Sequence, residues 1–227
     1  MEYLIFAAVT LVTVALEFLY CSYIGVFETG LKIPVSSKYK NDTVVPFNGI
    51  KLILTIIICA VLSFCVQISL KSNNVSVINF IKLYGLFVMV LGASIIDLKK
   101  KIIPNMIILV GLAFRLLIYI YEIIKSENLK ETITSDLIGF AIGFGILAVV
   151  SFITKQGIGF GDAKLFGVIG LVGGSFCTYS TLFASLIISA LVSVILLVTG
   201  KKGKKDTIPF GPCIAIGYTL VIFLTSY

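Results

Sequence analysis

Runs of about twenty apolar residues recur along this sequence, and they constrain the fold more than any other feature. The 227-residue chain is 59% hydrophobic and 13% charged, with a mean hydropathy of +1.12. An α-helix needs about twenty such residues to cross the hydrocarbon core of a bilayer, and soluble domains carry about twice this share of charged residues. We therefore predict an all-α fold, a polytopic transmembrane helix bundle of about eight spans.

The apolar runs divide the chain into two predicted regions. Residues 1–77 form an N-terminal region of two spans joined by a short cysteine-free loop, and residues 78–227 form a six-span core. The first span lacks a basic stretch and a small-residue cleavage site, so we expect a retained helix rather than a signal peptide. Seven spans are expected near residues 3–27, 51–70, 78–97, 105–124, 135–154, 176–199 and 208–227, and a further element, the sixth in order, is opened by Asp162 and interrupted by Gly173–Gly174.

Lysines gather in alternate loops, and this distribution predicts the orientation of the chain. With the N-terminus outside, the cytoplasmic loops hold Lys32, Lys38, Lys40, Lys51, Lys99, Lys100, Lys101, Lys155, Lys164, Lys201, Lys202, Lys204 and Lys205. The outer loops then hold Lys71, Lys125 and Lys130, and Lys82 stays unassigned. This is the asymmetry of the positive-inside rule. It accounts for the net charge of +7 without a nucleic-acid partner.

Several kinds of chemistry are excluded by residue types. The sequence has no histidine, so Ser-His or Cys-His catalysis and histidine-ligated metals are excluded. Its five cysteines form no CxxC pair, and we interpret them as small buried thiols. We expect no cofactor and no metal.

Two aspartates are the strongest candidates for function. Asp97 ends the third span, and Asp162 opens the sixth element behind Gly159 and Gly161. The predicted orientation brings both aspartates to the cytoplasmic face. Two neighbouring carboxyls share one proton, so that one can activate water while the other polarises a carbonyl. We therefore predict that the two carboxylates meet and form a catalytic pair that hydrolyses amide bonds.

The surrounding residues resemble a known family. Residues 159–165, GFGDAKL, are similar to the GxGDxKL motif of the type IV prepilin leader peptidases, a family of GxGD membrane aspartyl proteases. Asp97 with Pro104 and Asn105 resembles the first-aspartate segment of that family, and residues 208–212, IPFGP, resemble its C-terminal proline-glycine segment. The resemblance covers roughly residues 84–217.

The resemblance implies an endopeptidase that removes the basic leader from type IV prepilins or pilin-like proteins at the cytoplasmic membrane face. Asp97 and Asp162 would be its catalytic pair. The implied supporting residues are Gly159, Gly161, Lys164, Pro104, Asn105, Gly211 and Pro212. Larger bacterial members carry a four-cysteine zinc-binding insertion associated with N-methylation. The loop 28–49 has no cysteine, so we expect neither zinc nor methyl transfer.

Other charged and small residues have mainly structural interpretations. Arg115 lies deep in its span, and we predict a buried ion pair with Glu17. The GxxxG pattern of Gly139 and Gly143, continued by Gly167, Gly170 and Gly174, predicts close helix packing. Two other functions stay open on the sequence: a transporter that uses the aspartates as a proton or cation site, and a catalytically silent homologue.

Overall fold

The computed structural model describes residues 49–73, 75–125, 129–153, 159–200 and 208–224, with side chains described from Ile57 onward. Regular secondary structure within these ranges is entirely helical, so the all-α prediction is confirmed. The chain divides into two compact units, Met1–Gln67 and Ile68–Tyr227. The first predicted span, the loop after it and Glu17 lie outside the described residues. The functional division expected at residues 77 and 78 stays a prediction.

The helices of the described ranges fall close to the expected spans. They are α1 Gly49–Ser72, α2 Val77–Lys100, α3 Asn105–Lys125, α4 Leu129–Phe140, a π-helical turn Ala141–Gly145, α5 Ile146–Ile153, α6 Phe160–Val198 and α7 Gly211–Leu224. Four of the described segments are long and apolar enough to cross a membrane: α2, α3, the continuous stretch Leu129–Ile153, and α6. The protein is therefore a multi-pass membrane protein. The total of eight spans stays a prediction.

The ends of the helices follow from local chemistry. Ser76 caps the start of α2 by accepting a hydrogen bond from the backbone N–H of Asn79 at 3.4 Å. Lys101 ends the same helix in a left-handed conformation, with φ of 52°. Pro104 then precedes α3, as expected for a proline that has no N–H to contribute to a helix. One prediction was wrong in extent: the fifth span, expected to begin at residue 135, is already helical from Leu129.

Helix α6 is interrupted at Gly174, as the sequence predicted. Gly174 has φ of 76° and ψ of −177° within a 39-residue helix. This backbone conformation is open to glycine and strained for residues with a Cβ atom. The break leaves one segment with the candidate Asp162 in its first turn and a second of about 36 Å, so the predicted sixth and seventh elements are both present.

Small residues let α4 and the π-helical turn approach α6 closely. A Cβ atom added to Gly139 would lie 2.7 Å from the carbonyl oxygen of Gly170, and one added to Gly143 would lie 2.6 Å from that of Phe166. The packing predicted from the glycine pattern is confirmed.

Helix α2 is the most deeply buried part of the second unit. Every residue from Leu86 to Asp97 is buried, as expected for a helix that is apolar on all sides and surrounded by other helices. It packs against α6 and α7, and the Tyr218 hydroxyl donates to the carbonyl oxygen of Leu83 at 2.8 Å. Asp97 is therefore carried near the end of a buried helix that packs against two others.

Candidate active site

Asp97 lies in the last turn of α2, where the chain leaves the helix. Its side chain is 5% exposed. The backbone N–H of Lys101 donates to the Asp97 carbonyl oxygen at 2.9 Å, and the left-handed conformation of Lys101 redirects the chain. The turn holds the carboxyl group inward while the chain proceeds to Pro104.

Asp162 lies in the first turn of α6 and is 8% exposed. Its backbone N–H donates to the carbonyl oxygen of Gly159 at 3.0 Å, and the Gly159 N–H donates to its side chain. A Cβ atom on Gly159 would lie 3.0 Å from Asp162 Oδ2. The glycine therefore leaves the room in which this carboxyl folds back over the start of the helix.

The two aspartates come together although 64 positions separate them (162 − 97). They are close enough for the charge of Asp97 to act on Asp162. The fold thus brings the two aspartate segments side by side, and direct contact between the carboxyl groups stays a prediction.

The C-terminal proline-glycine segment, residues 208–212, contacts Asp97. The Gly211 backbone N–H donates to Asp97 Oδ2 at 2.7 Å. Phe210 stacks on Phe166, with ring centroids 6.3 Å apart. Pro212 occupies the second position of α7. Three segments distant in sequence therefore meet around two buried carboxyl groups.

The remaining predicted support residues join the aspartate segments to each other. A Cβ atom on Gly161 would lie 3.2 Å from Cβ of Ile103. The Lys164 ammonium donates to Asn105 Oδ1 at 3.1 Å. The segments carrying Asp97 and Asp162 therefore touch through backbone packing and through a side-chain hydrogen bond.

A second charged cluster was only partly anticipated. Arg115 is 2% exposed and forms ion pairs with Asp136 and with Glu122, the latter at 3.2 Å. Lys82 also pairs with Glu122. The Tyr119 hydroxyl donates to Asp136 Oδ2 at 2.7 Å. The predicted partner Glu17 lies outside the described residues, so the structure shows two partners that sequence reasoning missed.

One of these partners was visible in the sequence pattern. Glu122 follows Arg115 by seven residues, which is two helical turns along one face. Asp136 gave a weaker indication, as an acid at the polar end of a predicted span. Among the described residues, no three Cys, His, Asp or Glu side chains are grouped as metal ligands would be.

These features first define a class: a multi-pass helical membrane protein with two buried aspartates brought together where helices begin and end. Residues 83–195 match the family model of the type IV leader peptidase family. This part of the chain therefore belongs to the type IV leader peptidase family, and both aspartates lie within it.

Curated relatives agree with the family. The "Prepilin leader peptidase/N-methyltransferase" of Bacillus subtilis (strain 168) is 35% identical over 130 residues, which are 56% of this chain and 49% of the relative. The protein of the same name from Pseudomonas putida is 30% identical over 135 residues, 59% of this chain and 46% of the relative.

A third relative carries a different name. The "Type 4 prepilin-like proteins leader peptide-processing enzyme" of Escherichia coli O78:H11 (strain H10407 / ETEC) is 28% identical over 137 residues, 60% of this chain and 49% of the relative. This chain thus spans about half the length of the curated relatives it matches. No solved structure matches it significantly.

Proposed function

We propose that this protein is a membrane aspartyl endopeptidase that removes the basic leader peptide from type IV prepilins or pilin-like proteins. The observation that carries the proposal is the burial of Asp97 and Asp162 on two segments that are joined by the Gly161–Ile103 contact and the Lys164–Asn105 hydrogen bond. The family match over residues 83–195 and the names of the relatives support the choice of substrate.

The proposed reaction uses the two carboxyl groups without a metal or cofactor. One ionised carboxylate takes a proton from a water molecule, and the resulting hydroxide attacks the scissile carbonyl carbon. The protonated partner donates its proton to the carbonyl oxygen, which gives a neutral tetrahedral intermediate. When the C–N bond breaks, the amine leaves with the proton first taken from water, and the intermediate hydroxyl returns its proton to the other carboxyl.

The proposed site of reaction is the cytoplasmic membrane face. The asymmetry of lysines between alternate loops supports this orientation. A leader that is basic and cytoplasmic, followed by an apolar helix in the membrane, would place its junction at the level of the two aspartates. We therefore propose that the enzyme and its substrate are embedded in the same bilayer.

We propose peptidase activity alone and no methyl transfer. The loop 28–49 has no cysteine, whereas the zinc-binding insertion associated with N-methylation in larger members has four. The cleaved product should therefore leave this enzyme with an unmodified N-terminal amine, which mass spectrometry of the product would show.

The proposal is tested by cleavage of a prepilin-like peptide by purified protein in lipid. We expect cleavage by the wild type and its loss in both Asp97→Asn and Asp162→Asn. Glu131→Gln is the matched control, because Glu131 is an exposed acid of α4 and should leave activity unchanged. Cleavage that survives either aspartate substitution would overturn the dyad. Absence of cleavage by the wild type across a panel of pilin-like leaders would favour the transporter or silent-homologue alternative.

A further inference from the structure

Lys164 is a charged residue of the signature segment that the proposed reaction does not use. It follows Asp162 by two residues, about 200° around the helix, so its ammonium group points away from that carboxyl. Any contribution of Lys164 to the reaction must therefore pass through another residue.

The described contacts identify that residue as Asn105. Lys164 Nζ donates to Asn105 Oδ1 at 3.1 Å, across 59 positions of sequence. Lys164 is in the first turns of the helix that carries Asp162, and Asn105 is the first residue of α3. The hydrogen bond therefore ties the start of one helix to the start of another.

Asn105 is connected to Asp97 by a short stretch of chain that contains two backbone hydrogen bonds. The Lys101 N–H donates to the Asp97 carbonyl oxygen at 2.9 Å, and the Ile107 N–H donates to that of Pro104 at 3.1 Å. The proline ring fixes one backbone dihedral between these turns. A displacement of Asn105 is therefore transmitted to Asp97.

Three further contacts hold Lys164 and its helix in place. The Lys164 ammonium lies 5.5 Å from the ring centroid of Phe160, a favourable cation–π distance. Phe160 in turn packs edge-on against Phe144, at 5.9 Å between centroids. Gly161, the residue after Phe160, lies against Ile103. The contact with Phe160 thus helps to orient the Lys164 side chain toward Asn105.

We infer that Lys164 and Asn105 are a pair of positioning residues whose hydrogen bond sets the separation of the Asp97 and Asp162 carboxyl groups. The inference rests on the proposed function, since it assigns a role within that site. Gly161 and Ile103 limit how closely the two segments approach, and the Lys164–Asn105 bond keeps them from moving apart. Neither residue need touch the substrate.

The kinetic test is a double-substitution cycle in the cleavage assay. Lys164→Met and Asn105→Leu should each lower kcat about 10- to 100-fold, the scale of effect of a misplacement near 1 Å, with little change in KM. The double variant should lower kcat no further than either single variant, because both substitutions remove the same hydrogen bond. A rise in KM with unchanged kcat, or losses that multiply, would overturn the inference.

Conservative and control variants separate positioning from loss of folding. Asn105→Asp keeps an acceptor for the lysine and should retain activity within a few-fold. Lys125→Met removes an exposed lysine from the far end of α3 and should match the wild type. If Asn105→Asp were as inactive as Asn105→Leu, the hydrogen bond would not be the cause.

A readout independent of cleavage keeps this test separate from that of the proposed function. Asp97→Cys and Asp162→Cys are combined in a background without the native cysteines, and the rate of disulfide formation with a mild oxidant reports their juxtaposition. Adding Lys164→Met should slow that rate, while adding Lys125→Met should not. An unchanged rate with Lys164→Met would overturn the inference even if the peptidase proposal held. Slower cross-linking in a protein that cleaved nothing would leave the positioning role intact.

Discussion

Gly211 donates its backbone N–H to Asp97 Oδ2 at 2.7 Å and so joins two residues that lie 114 positions apart. The donor is the first residue of α7, whose N-terminal N–H groups have no partner within the helix. A Cβ atom on Gly211 would lie 2.8 Å from Cβ of Asp97. The C-terminal segment therefore contributes both a hydrogen bond and the space in which Asp97 sits.

Substitution of Gly211 should be costly to activity because the added methyl group must displace Asp97. We expect Gly211→Ala to lower kcat about 100-fold, the effect of a displacement near 1 Å at reacting groups. The measurement is the cleavage assay, with thermal unfolding in detergent to verify folding. Gly145→Ala is the matched control, because a Cβ atom there meets no heavy atom within 4 Å. Equal activity of the two variants would show that the Gly211 contact is dispensable.

The sequence predicted the helices and the two aspartates for physical reasons. Apolar runs of membrane-spanning length indicate helices directly, and the glycines at 139 and 174 indicated close packing and a helix break. Asp97 and Asp162 are candidates because ionisable residues are rare within membrane spans and usually have a function there. The hydrogen bond between Gly211 and Asp97 could not be derived from the sequence. Every residue except proline has a backbone N–H, so the sequence does not indicate which N–H donates to a given side chain.

The partners of Arg115 could not be predicted from the sequence. Depth along a span suggested a pair with Glu17, but depth does not say which face of a helix meets which neighbour. The described partners are Glu122 on the same helix and Asp136 on α4. Choosing between acids at similar depth requires the rotation of each helix, and this is set by packing.

Loss of Arg115 should destabilise the fold. Arg115→Met would leave Asp136 and Glu122 with one cation, Lys82, between them, and removing one partner of a buried ion pair costs about 3–5 kcal/mol. We expect a corresponding fall in the free energy of unfolding, measured by thermal or denaturant unfolding in detergent. Lys125→Met, at an exposed position of the same helix, serves as the control.

A compensating variant checks the cause of that loss. Removing the negative charge of the main partner as well, in Arg115→Met with Asp136→Asn, should restore part of the stability, because no unpaired carboxylate would then be buried at this position. A double variant less stable than Arg115→Met alone would contradict this explanation and indicate a packing role for both side chains.

Backbone contact between α4 and α6 makes a separate prediction about stability. Gly139→Ala would place a methyl group 2.7 Å from the Gly170 carbonyl oxygen, and the helices would have to move apart. Overpacking of this kind costs about 1–3 kcal/mol. In detergent, the midpoint of thermal unfolding should be lower for Gly139→Ala than for the wild type, and that of Gly145→Ala should be close to the wild-type value. Equal stability of the two alanine variants would mean that the helices separate at no cost.

The orientation of the chain can be tested with two cysteines at opposite ends of the helices. Lys100 ends α2 near Asp97, whereas Lys130 lies in the first turn of α4 at the other end of the described spans, and both are exposed. In a background without native cysteines, we expect a membrane-impermeant maleimide to label Lys130→Cys in intact cells. Lys100→Cys should be labelled only after the membrane is opened, because the lysine distribution places that end in the cytoplasm. The reverse pattern would put the aspartates on the outer face, where a cytoplasmic leader could not reach them. The cleavage assay would still measure the peptidase, but its substrate would then have to present the scissile bond from outside.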